Sequence, residues 1–124
     1  MTAVKIKNIL ADIPAQLPKE LFTCLLQNEQ VQIERIISRG QTSAKDEWYD
    51  QASDEWVILL QGEAVLEFSE PQAFKKLQAG DYLLIPAHCK HRVDWTHPDK
   101  DSIWLAVHFK ATQNTGRSAL ACFQ

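Results

Sequence analysis

From Gln30 onward the apolar residues fall in short runs of about five to eight, rich in β-branched and aromatic types and closed off by turn residues. An amphipathic helix needs a longer stretch at helical period, so the pattern confines this part of the chain to strands and predicts an all-β domain. The expected strands are 31–38, 55–61, 64–68, 74–77, 82–85, 91–96 and 102–109, with compact turn signals at Gln61-Gly62, at 69–72 and at Ala79-Gly80-Asp81. Strands this short, at this spacing, hide their edges by forming a sandwich or a barrel.

The chain has 124 residues, 45% hydrophobic and 23% charged, which is material for one core. Three segments are expected: an irregular N-terminal segment, 1–29, packing on the barrel or on a partner subunit; the barrel itself, 30–110; and a loosely held tail, 111–124. Pro14 and Pro18 bar a long helix near the start, and 20–27 reads as either a strand or a short helix.

Sixteen acidic and thirteen basic residues are mixed along the chain for a net charge of -3, so no basic stripe exists to neutralise a nucleic-acid backbone. Residues 1–18 contain no apolar run of the length a signal peptide or membrane span requires, and a cytoplasmic location is the expectation. Cys24, Cys89 and Cys122 are odd in number, widely spaced and free of any Cys-x-x-Cys, a pattern that suits reduced, packed thiols.

Alternation along a strand decides which side chains share a face. Glu55, Val57 and Leu59 fall on one face, and Trp56, Ile58 and Leu60 on the other. Both faces are apolar, so this strand should be covered twice, by the interior and by the N-terminal segment or a second copy; a homodimer is the more natural cover. His91, Val93 and Trp95 share a face. His108 shares one with Trp104 and Ala106, in competition with Ile103, Leu105, Val107 and Phe109 for the interior. Arg35 alternates with Ile33 and Ile37, and either points inward to grip a substrate carboxylate or snorkels at an edge. Trp48, Tyr49, Trp95 and Trp104 are either an aromatic wall for a ligand or plain core.

Two segments, 40–62 and 80–91, carry a resemblance to the cupin superfamily. That family's first motif has a glycine, a His-x-His pair, a glutamate three or four residues later and a glycine after six more. Its second has a glycine, a proline six positions on and a histidine shortly after. Glu55 and Gly62 match the back half of the first, and Gly80, Pro86 and His91 match the second. The His-x-His positions hold either Trp48 and Asp50 or Tyr49 and Gln51, according to the spacing adopted, and His88 stands where the family commonly has glycine.

The resemblance implies a single jelly-roll barrel with an interior pocket, and in metal-binding members a divalent ion held by the two histidines, the glutamate and the later histidine. Of that set only Glu55 and His91 survive. Asp50 and His88 are candidates to complete a site for zinc, iron, manganese or nickel; the alternative is that His88 fills a turn position tolerant of unusual backbone angles and Asp50 is solvated in the loop. Without a metal, Glu55 and His91 form a carboxylate and imidazole pair suited to general acid and base work, or a satisfied core pair.

The expected function is binding of a small organic molecule in the barrel, with Glu55 and His91 as catalytic candidates. Tyr49, Gln51, Trp48, Arg35, Trp95 and His108 are its candidate binding residues. Two versions stay open: a metal-dependent enzyme of the oxygenase or isomerase kind, and a metal-free binding or sensing module.

Overall fold

The computed structural model describes residues 3–110, so the expected tail and Cys122 lie outside the described residues. Eight strands follow in order: β1 Leu21–Gln27, β2 Val31–Ser38, β3 Ser53–Gln61, β4 Glu63–Ser69, β5 Gln72–Gln78, β6 Tyr82–Ile85, β7 His91–Thr96 and β8 Ser102–Lys110. All pair antiparallel, as a five-stranded sheet ordered β1-β2-β8-β3-β6 and a three-stranded sheet ordered β5-β4-β7. The fold is all-β and jelly-roll-like. No helix among the described residues is long and apolar enough to cross a membrane.

Alternation places the core as β3 predicts. Val57 and Leu59 meet Leu66 and Phe68 of β4, Leu77 of β5, Ile85 of β6 and Trp104 and Ala106 of β8 in one buried cluster between the sheets. On β8 it is therefore the face with Trp104, Ala106 and His108 that turns inward. Segment 20–27, open between strand and helix, resolves as β1 at the edge of the larger sheet, in register with β2.

Residues 3–20 lack regular pairing, and side chains supply donors to their carbonyls. Arg35 Nη1 donates to Ile9 O at 3.1 Å and Ala11 O at 2.6 Å, Arg39 Nη1 to Ala15 O at 3.0 Å, and Gln41 Nε2 to Leu17 O at 2.7 Å. Arg35 is thus buried under the N-terminal segment on the outer face of the sheet, where it holds backbone rather than a ligand.

β7 departs from simple alternation. Val93 pairs with Leu66 and Trp95 with Val65, so one residue of β4 opposes two of β7 at Asp94. This bulge turns Trp95 away from the face of His91 and Val93 and brings Thr96 inward to burial. Trp95 instead packs edge-on with His97, ring centroids 5.7 Å apart.

The thiols also differ from expectation. Cys89 is disulfide-bonded rather than reduced, whereas Cys24 is a free, exposed thiol.

Candidate functional site

A cavity of about 190 Å³ opens between the two sheets. Its apolar wall includes Phe22, Ile36, Val57, Leu66, Ile85, Val93 and Trp104; its polar lining is Glu20, Glu34, Tyr49, Gln51, Glu55, His91 and His108.

The loop before β3 is held in register by backbone bonds to β7 and its preceding turn. Tyr49 N donates to His91 O at 2.7 Å, His91 N to Tyr49 O at 3.1 Å, and His88 N to Gln51 O at 2.7 Å. Asp54, fully buried, accepts from Ala87 N through Oδ1 at 2.8 Å and pins the same turn. This register settles the one-residue ambiguity of the sequence: Tyr49 and Gln51 line the cavity, and Asp50 points away from it. Asp50 Oδ1 accepts from His88 Nδ1 at 2.9 Å, and the two side chains are 40% and 70% exposed. Neither joins Glu55 and His91, so the expected metal set of His91, Glu55, Asp50 and His88 is not assembled.

Glu55 and His91 are both buried. Nδ1–H of His91 donates to Cys89 O at 2.9 Å, which leaves Nε2 facing Glu55 Oε1 at 3.6 Å. The ring lies between Tyr49 and Phe68, with centroids 5.6 Å and 6.0 Å away. Gln51 Nε2 donates to Glu55 Oε1 at 2.9 Å. Burial works to raise the Glu55 pKa, but the adjacent His91, the charge of His108 and the Gln51 amide outweigh it and hold the carboxyl below its ordinary value.

A second pair was not foreseen. Glu34 on β2 and His108 on β8 meet with Oε1 and Nε2 2.9 Å apart, and His108 stands opposite Glu55 in the β3–β8 register. Glu20, immediately before β1, accepts from Ser38 Oγ, and burial raises its pKa against that bond. Burial, then the charge of Glu20, also pushes up the Tyr49 phenol, which stays protonated at neutral pH. The signal for Glu34 was the other face of β2, where Glu34 and Ile36 alternate with the Arg35 face. Trp48, Arg35 and Trp95 are not among the described residues that line the cavity.

The metal question turns on donors. Among the described residues no three His, Cys, Asp or Glu side chains are grouped to hold a metal ion. At the two positions that would complete the set with Glu55 and His91 stand a protonated phenol and an amide whose NH is already given to Glu55. These residues do not fit a divalent ion in the manner the resemblance implies.

Two short-stranded sheets enclosing a lined cavity define a jelly-roll-like fold with a central pocket. Residues 35–108 match the family model described as the cupin domain, and the chain belongs to that family. A protein from Ralstonia eutropha JMP134, provisionally named a mannose-6-phosphate isomerase, is similar at 45% identity, with 86% of this chain and 99% of that one covered and a TM-score of 0.82. A cupin superfamily protein from Desulfitobacterium hafniense DCB-2 is 25% identical, covering 79% of this chain and 84% of that one at a TM-score of 0.66. Cobalt(II) HppE, at 16% identity and a TM-score of 0.63 over 78% of this chain and 57% of its own, shares the fold alone. Among curated proteins nothing matches the chain.

Proposed function

We propose that the chain binds a small organic molecule in the cavity between its sheets and that Glu55 and His91 move a proton on it without a metal. The observation that carries this reading is the His91 ring: its Nδ1 proton is committed to a backbone carbonyl, and its Nε2 is presented beside the Glu55 carboxylate within the cavity. Nε2 is then the atom through which a proton passes between His91 and a bound molecule, and Glu55 stabilises the imidazolium form. Such a pair suits isomerisation or epimerisation, in line with the provisional name of the Ralstonia protein.

Native mass spectrometry of the full chain after exposure to a small-metabolite extract tests the binding. A stoichiometric low-mass adduct is expected, and its absence overturns the reading. Recovery of that ligand from D₂O tests the chemistry. Deuterium at one carbon with the wild type and none with His91→Ala supports proton transfer; unlabelled ligand from both leaves a binding or sensing module, the second reading that the missing histidine pair favours.

The outer face of the larger sheet supports a homodimer. Trp56 and Tyr82 meet there with ring centroids 5.5 Å apart and planes tilted by 40°, and Tyr82 is 66% exposed. Sedimentation as a monomer at micromolar concentration would sink that part.

A further inference from the structure

Resting on the pocket reading, we infer that the molecule this cavity takes is a small organic cation, a protonated amine on an apolar or aromatic body, rather than a phosphorylated compound. The cavity is lined by three carboxylates, Glu20, Glu34 and Glu55, and by no arginine or lysine among the described residues. The arginines nearest in sequence are committed elsewhere: Arg35 to the carbonyls of Ile9 and Ala11, Arg39 to Asp101, and Arg92 to Glu67 and Asp94.

The carboxylates are not equally compensated. Glu55 has His91 and Glu34 has His108, but among the described residues Glu20 has only the hydroxyl of Ser38. The lining thus holds three carboxyl groups against two imidazoles. A phosphate entering this space gives up hydration and meets like charge, whereas an ammonium meets a buried carboxylate that has no counter-ion among the described residues. The same asymmetry appears at Tyr49, whose phenol is pushed up by burial and by the charges of Glu20 and Glu55. Phe22, Tyr49 and Trp104 offer ring surface, which attracts an organic cation and packs its apolar body. At about 190 Å³ the cavity is smaller than the roughly 300–1,000 Å³ of sites for drug-sized ligands, so the cation is small.

The test is calorimetric titration of the full chain at pH 7 with phenethylamine, 2-phenylethanol and phenylacetate, which share one body and differ in charge, and with mannose 6-phosphate. Phenethylamine is expected to bind at least about tenfold tighter than phenylacetate, with no measurable binding of mannose 6-phosphate. Glu20→Gln is expected to weaken phenethylamine about tenfold and leave 2-phenylethanol unchanged. Phenylacetate or mannose 6-phosphate binding as tightly as the amine overturns the cation assignment and leaves the pocket reading standing. An amine preference that survives Glu20→Gln also overturns it. Silence from all four probes overturns the inference as well; the pocket reading falls with it only when the metabolite screen is silent too.

Discussion

Nε2 of His91 stands 3.6 Å from Oε1 of Glu55, while Nδ1 of the same ring donates to the Cys89 carbonyl at 2.9 Å. The ring is therefore oriented from both sides, and its Nε2 is kept next to a carboxylate.

Stability should depend on pH through this pair. The Glu55 pKa is lowered on folding from an ordinary value of 4.5. A carboxyl so depressed adds stability that is present above the unfolded value and is lost as pH falls through the folded one. The urea midpoint of the wild type should therefore exceed that of Glu55→Gln at pH 7, and the gap should narrow steadily below pH 4.5. A gap that is constant with pH would show that the carboxylate charge contributes nothing to the fold.

The β3–β4 turn should be the least tolerant of the glycine positions. Gly62 has φ 95°, and a Cβ there would come within 2.6 Å of Ser102 Cα and 2.8 Å of Asp101 O. Gly80 has nearly the same φ, 96°, with no atom within 4 Å of the added carbon. Gly80→Ala should thus cost only the left-handed conformation, about 1–2 kcal/mol. Gly62→Ala adds a backbone clash and should cost roughly 3 kcal/mol or more. Equal losses in chemical denaturation would mean that the Asp101–Ser102 segment gives way without cost.

Much of this architecture was legible from alternation and turn residues alone. β2, β6 and β7 begin and end where the residue pattern puts them, and Glu55, Val57 and Leu59 face inward as their spacing requires. What escaped was set by contacts distant in sequence. The bulge at Asp94, which reverses Trp95, depends on the pairing with Val65 and Leu66. The choice of Gln51 over Asp50 depends on bonds from Tyr49 and Gln51 to His91 and His88. The inward face of β2 is decided by the N-terminal carbonyls that draw Arg35 outward. A one-residue slip cannot be told from its alternative by composition, because both strand faces are apolar enough to be buried.

Once the register is known, the metal site becomes testable by restoration. Tyr49 and Gln51 occupy the cavity lining with Glu55 and His91, so Tyr49→His with Gln51→His places four donors of suitable chemistry around one space. The double variant should retain near-stoichiometric zinc or nickel after dialysis, read by elemental analysis, and the wild type should retain much less. The same metal content in both would show that the pocket wall, not the two missing imidazoles, decides occupancy.

Glu20 should behave in the opposite sense to Glu55, although both carboxylates line one cavity. Burial raises the Glu20 pKa from 4.5, with only the Ser38 bond opposing it. A carboxyl raised on folding contributes stability that is full below its unfolded pKa and is lost as pH climbs through the folded value. Glu20→Gln keeps an oxygen to accept from Ser38 and removes the buried charge. Its urea midpoint should match the wild type near pH 4 and rise above it at pH 7. Phenethylamine at saturating concentration should then reverse the order at pH 7, since a ligand that binds the native state stabilises the chain that binds it more tightly. A variant less stable than the wild type at both pH values would show that the Ser38 bond outweighs the desolvated charge. The free-state and amine-bound measurements thus probe the same carboxylate from two sides, as an electrostatic strain in the empty pocket and as the counter-ion of its occupant.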